Sequence, residues 1–128
     1  MSTITHTRIK KMSPQLLVAD IDRSVEFYTK TLGFDLEFRY EDFYVSVIKE
    51  GYSIHLKTRN SLIKDSANKK DNEDLDIIFS VEGIDGLYEE FLNNSVEFVQ
   101  LLRQMPYGKE FYVADPDGHI IAFIEEAL

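Results

Sequence analysis

An α+β fold built from two βαβββ modules is predicted for this chain on three observations. The order strand, helix, strand, strand, strand can be read twice along the 128 residues. The stretch Asp20-Ile21-Asp22 has a counterpart in Gly83-Ile84-Asp85, 63 positions later. Gly51, which precedes a strand-like run, has one in Gly118, 67 positions later; His55 then falls on Ala122 and Leu56 on Phe123. Two matches in chain order with nearly equal offsets point to a repeated unit. A single unit covers one face of its sheet with a helix and leaves the other face open. Two units are therefore expected to form an open, curved mixed sheet around a shared cleft.

Taken in order, residues 1–11 read as a polar tail that carries His6, and residues 12–58 as the first module. Gln15-Leu16-Leu17-Val18-Ala19 is a short apolar strand. A helix follows, with Asp22 as N-cap, Glu26 near its positive end and Val25, Phe27, Tyr28 and Leu32 as its apolar face. Gly33 stops it as a C′ glycine does. The runs DLEFRYED, FYVSVIKEG and YSIHLKTR are rich in β-branched and aromatic residues and are bounded by charge or Gly, so three strands are expected. Residues 59–74, polar and without aromatics, read as an exposed linker.

Residues 75–126 then repeat the order. DLDIIFSV is a strand. Ile84-Asp85 opens a helix through Leu87, Tyr88, Phe91 and Leu92 that ends at Asn93-Asn94. VEFVQLL is a strand, and residues 111–125 are a hairpin. Its turn, Asp115-Pro116-Asp117-Gly118, combines a proline that presets its own φ with a glycine that takes positive φ at little cost.

Composition narrows the function. The apolar share of 44% is that of a globular chain, and the length is that of one domain. A net charge of −9 repels phosphate backbones, so no nucleic-acid partner is expected. No run approaches the ~18 apolar residues of a membrane span, and the polar start does not read as a signal peptide. The chain has no Cys, which rules out disulfides, thiol nucleophiles and Cys-based metal sites and fits a cytoplasmic location. Dinucleotide, P-loop, zinc-protease and serine-hydrolase motifs are absent.

Alternation along the strands sorts side chains onto two faces. Ile54, Leu56, Ile121 and Phe123 are assigned to the helix side. Ser13, Gln15, Leu17, Ser53, His55 and Lys57 are assigned to the cleft in one half. Asp76, Ile78, Ser80, Ile120, Ala122 and Ile124 take that side in the other. Phe38 and Tyr40 share one face, and Phe98 shares a face with Gln100.

These stretches carry a family resemblance. LLVADIDRSVEFYTKTLGF, through Asp20, Ser24, Phe27, Tyr28, Leu32, Gly33 and Phe34, and FYVADPDGHIIAFIEE together resemble the vicinal oxygen chelate superfamily. That group contains glyoxalase I, bleomycin-resistance and fosfomycin-resistance proteins and extradiol dioxygenases. The resemblance, over residues 12–126, implies paired βαβββ modules and a homodimer. In metal-using members one divalent ion sits in the cleft, and its ligand positions correspond here to Ser13, His55, Asp76 and Ala122. Only His55 is a good ligand, Asp76 could add a carboxylate, and the other two are poor or empty. Such a pair leaves a divalent site incomplete.

The expectation is therefore a small-molecule-binding protein of the bleomycin-resistance type, with an antibiotic among the candidate ligands and with no metal or other cofactor. Its ligand-binding residues are His55, Asp76, Tyr40, Gln15, Phe38 and Phe98. Aromatic rings offer flat apolar surface to a planar ligand and π faces to a cation. The alternative is a metal-dependent lyase or dioxygenase that uses His55 and Asp76. If the protein is an enzyme, His55 is the candidate catalytic group, with Asp76 to orient it.

Overall fold

The structure, a computed structural model, describes residues 7–58 and 74–127. His6 and nearly all of the expected linker lie outside the described residues. The element order is β1 (Gln15–Val18), α1 (Ile21–Glu26) with a π-helical turn (Phe27–Thr31), β2 (Asp35–Tyr40), β3 (Tyr44–Lys49) and β4 (Tyr52–Thr58). The second half runs β5 (Ile77–Ser80), α2 (Ile84–Leu92), β6 (Glu97–Met105), β7 (Gly108–Ala114) and β8 (Ile120–Glu126). Each half is a βαβββ module with its own four-stranded mixed sheet, ordered β1-β4-β3-β2 and β5-β8-β7-β6. In both, the first strand runs parallel to the last, and the other pairs are antiparallel.

Helix α1 is capped by Asp20, not by Asp22. Asp20 has extended backbone, and its carboxylate accepts from the Arg23 amide at 3.1 Å. Ile21 is already helical and buried, so the cap has to stand one residue before it. Asp22 sits in the first turn, where its charge meets the positive helix end. The helix then widens: the Leu32 amide donates to the Phe27 carbonyl, five residues back, at 3.0 Å. Gly33, at φ 84°, ends it in the left-handed region, as expected of a C′ glycine.

Helix α2 solves its N-terminus by a different route. Gly83 has no side chain to offer, and the Glu125 carboxylate on β8 accepts from the Gly83 and Ile84 amides at 3.2 and 2.9 Å. A long-range carboxylate thus replaces a local cap.

One core joins the two modules on the helix side of the sheets. Leu16, Val18, Ile54 and Leu56 of the first half cluster with Phe91, Phe111, Ile121 and Phe123 of the second, and Phe34 meets Phe79 at a ring distance of 6.0 Å. The four residues assigned to the helix side in β4 and β8 are all buried there. Each buried large side chain of this set contributes on the order of 2–3 kcal/mol.

Polar contacts between the modules run through the β7–β8 turn. Gly118 has φ 86°, and its amide closes the turn on the Asp115 carbonyl at 3.0 Å. Asp117 reaches α1: its carboxylate accepts from the Ala19 amide, the Ser24 hydroxyl and the Arg23 guanidinium at 2.8, 3.2 and 3.0 Å. Asp115 accepts from the buried Tyr28 hydroxyl at 2.7 Å.

Candidate functional site

In each sheet, the face turned away from the helix carries one row of side chains across four strands. In the first sheet, Gln15 on β1 stands opposite His55 on β4, His55 opposite Ser46 on β3, and Ser46 opposite Phe38 on β2. A register shift between Leu36 and Phe38 puts an extra residue, Glu37, into β2. Its carboxylate accepts from Ser46 at 2.6 Å and from Lys11 at 2.7 Å. Those two bonds, Lys11 first, hold the Glu37 carboxyl below the usual range against a smaller opposing effect of desolvation.

Rings fill the rest of this face. Phe38 and Tyr44 lie parallel at 6.4 Å, and both present His55 with a near-perpendicular contact, at 5.5 and 5.4 Å. Tyr40 adds a fourth ring 5.3 Å from Phe38 and is 60% exposed. Tyr44 also ties the row together through its hydroxyl, which is 3.0 Å from Gln15 Oε1 and 2.8 Å from His55 Nδ1.

The second sheet repeats the row with different chemistry. Ile78, Ala122, Tyr112 and Gln100 stand where Gln15, His55, Ser46 and Phe38 stand in the first. Tyr112, Ala114, Ile120 and Ala122 form a separate small apolar cluster on this face. Beside it lies a buried carboxylate, Glu110, at 1% exposure. It accepts from Tyr107 at 2.5 Å, Tyr112 at 3.0 Å and Arg103 Nε at 2.8 Å. Burial alone would raise the Glu110 carboxyl, but the three donors together hold it below its ordinary value. The same carboxylate pushes the Tyr107 phenol up to about 12.

Of the six residues expected to bind ligand, the structure brings His55, Gln15, Phe38 and Tyr40 together on one face. Asp76 is elsewhere. It leads into β5, where its carboxylate accepts from the Ile120 amide at 2.8 Å. No hydrogen bond or ion pair joins it to His55 among the described residues.

Phe98 does not share a face with Gln100. A bulge between them sets Phe98 opposite Val113, and its ring packs on the helix side against Tyr88 and Phe111 at 5.1 and 5.9 Å. Simple alternation fails wherever a strand carries an extra residue.

Sequence reasoning passed over Tyr44 as an anchor and missed Glu110 altogether. The β3–β4 register sets Tyr44 opposite Lys57, on the His55 side. An acidic residue inside the apolar run GKEFYVA was the available signal for Glu110.

Residues 3–123 match the model of the Glyoxalase/Bleomycin resistance protein/Dioxygenase superfamily. The chain belongs to this superfamily. The chain is 29% identical over 114 residues to the uncharacterized protein YetH of Bacillus subtilis (strain 168), covering 84% of this chain and 91% of that protein. The superfamily fold is shared with TioX from Micromonospora sp. ML1, at a TM-score of 0.75 and 18% identity, over 92% of this chain and 99% of that one. It is shared as well with TnmS3, an antibiotic binding protein from Streptomyces sp. CB03234, at a TM-score of 0.72 and 18% identity, over 99% and 100% of the two chains.

The four positions that the resemblance assigned to metal ligands are Ser13, His55, Asp76 and Ala122. The residues present do not fit a divalent ion. Ser13 Oγ is engaged with Ser53 Oγ, one Asp76 oxygen is taken by a backbone amide, and Ala122 has no donor atom. Among the described residues, no three His, Cys, Asp or Glu side chains are grouped to hold a metal ion.

Proposed function

We propose that this chain is a small-molecule-binding protein that works without a catalytic metal, and that its ligand lies on the open face of the first sheet. The observation that carries this reading is the ring cluster of Phe38, Tyr40, Tyr44 and His55 on a face that no helix covers among the described residues. Such a surface can bury the apolar body of a planar ligand, with a few polar groups beside it to fix orientation. Of the four residues in the ring cluster, His55 stands at one of the positions that the resemblance assigned to metal ligands.

The reading takes antibiotics as the first ligands to test, supported by what TnmS3 is described as binding. It takes the protein as a homodimer in the cytoplasm. Support for the dimer comes from Ile78, Leu101 and Tyr107, large side chains that are 58%, 58% and 47% exposed on the second module. Absence of Cys supports the compartment. Among the described residues, no helix is long and apolar enough to cross a membrane.

The test is a thermal-shift screen of planar antibiotics against the protein and its Phe38→Ala and His55→Ala variants. A ligand that raises the melting temperature of the parent and of neither variant supports the reading. Ligands that stabilise all three equally would remove the site from the first sheet.

A further inference from the structure

The hydroxyl of Tyr44 has one hydrogen and two neighbours. One neighbour, Gln15 Oε1 at 3.0 Å, can only accept. The hydrogen therefore goes to Gln15, and an oxygen lone pair faces His55 Nδ1 at 2.8 Å. Two lone pairs cannot face one another at that distance, so Nδ1 must carry the imidazole hydrogen. In the neutral ring this leaves Nε2 as a bare acceptor. Nε2 has no hydrogen-bond partner among the described residues. Every buried side-chain nitrogen or oxygen there does have one, so Nε2 must be in contact with solvent.

The surroundings narrow what can meet that nitrogen. Phe38 and Tyr44 flank the ring with apolar surface. Glu37, a carboxylate bonded to Ser46 on this face, is already satisfied by Lys11 and Ser46 and holds no strong unpaired charge for a cation. A bare lone pair beside a carboxylate repels anions. The remaining complement is a flat apolar molecule that carries a neutral N–H or O–H donor.

We propose that His55 Nε2 is the hydrogen-bond acceptor for such a ligand, and that Tyr44 and Gln15 are positioning residues that fix the acceptor tautomer. The proposal rests on the ligand-binding reading above and adds the donor chemistry of the ligand. It makes Tyr44 a residue that sets specificity through His55 as well as lining the surface.

Long-range proton–nitrogen NMR spectra of the full chain test the tautomer, recorded at about pH 8.5, roughly two units above the ordinary histidine pKa. A His55→Gln variant identifies the His55 signals. The expected result is an Nδ1–H ring in the parent and a shift toward Nε2–H in Tyr44→Phe, which keeps the ring and loses the hydroxyl. An Nε2–H ring in the parent overturns the relay.

The ligand class is tested with acridone and N-methylacridone, fluorescent tricycles that differ by one N–H. Acridone is expected to bind at least about tenfold more tightly to the parent, with that preference lost in Tyr44→Phe. Equal binding of the two by the parent overturns the acceptor role. Binding of neither overturns the ligand class and the reading beneath it, and the tautomer spectra separate that failure from a failure of the relay.

Discussion

The Tyr28 hydroxyl donates to Asp115 across 87 residues of chain, at 2.7 Å, and both residues are buried. This bond links the helix of one module to the hairpin turn of the other. The same carboxylate accepts from the Asp117 and His119 amides at 2.9 Å each and pairs with the His119 ring at 2.8 Å. Tyr28→Phe is expected to leave the fold in place and to lower unfolding free energy by about 1–3 kcal/mol, because a buried acceptor loses a donor and gains no water. Urea denaturation of the two proteins measures it.

Stability is expected to fall in acid. Burial works to raise the Asp115 carboxyl, but its hydrogen bonds to His119 and Tyr28 outweigh that and hold it below the ordinary value. Glu110 is lowered in the same way. A carboxyl that titrates lower in the folded than in the unfolded chain stabilises fully above its unfolded pKa. It loses that contribution as pH falls through the folded pKa. The urea midpoint should therefore decline steadily below about pH 4. Asp115→Asn should show a lower midpoint at neutral pH and a shallower decline.

Arg103→Leu removes the charged partner of Glu110, whose carboxylate is 1% exposed. Tyr107 and Tyr112 still donate to it, which softens the effect. The expected loss is about 2–3 kcal/mol, and pairing it with Glu110→Gln should recover part of it. A double-mutant cycle by chemical denaturation reads the coupling.

Gly108 is the glycine least open to replacement. Its φ is +144°, and a Cβ there would stand 2.2 Å from the Glu125 carbonyl oxygen. Gly108→Ala must push β7 away from the end of β8 and is expected to cost more than about 2 kcal/mol. Gly51, with nothing within 4 Å of the same added atom, is the control for positive φ without the clash. Thermal melts of the two variants separate the contributions.

Much of this fold is legible in the residues themselves. The doubled Ile-Asp and glycine landmarks announce two units, and alternation on β4 and β8 assigns Ile54, Leu56, Ile121 and Phe123 to the core. What alternation cannot see is a local change of count. The π-helical turn after α1 and the bulges in β2 and β6 each add one residue, and the bulge beside Phe98 moves it to the opposite side from Gln100. The candidate site was half visible for a similar reason. Gln15 and His55 follow from parity, and Phe38 with Tyr40 only as a pair on one face; which face that is, and the Tyr44 hydroxyl between Gln15 and His55, depend on how the strands register. The carboxylate that caps α2 comes from 41 residues away, and nothing near Gly83 predicts it.

Among the described residues every strand ladder closes within its own module, while the core and the turn contacts are shared between modules. A chain emerging from the ribosome can thus finish the first sheet before the second exists. At that stage Val18, Leu56 and the Tyr28 ring have no opposing half, and the Ser24 and Tyr28 hydroxyls lack their acceptors. The half-made protein is a sticky one, with an apolar surface waiting for residues still inside the exit tunnel. Asp115 and Asp117, near the end of the sequence, arrive late and complete it. Truncations upstream of that turn should consequently aggregate, read as loss of soluble protein against the full chain.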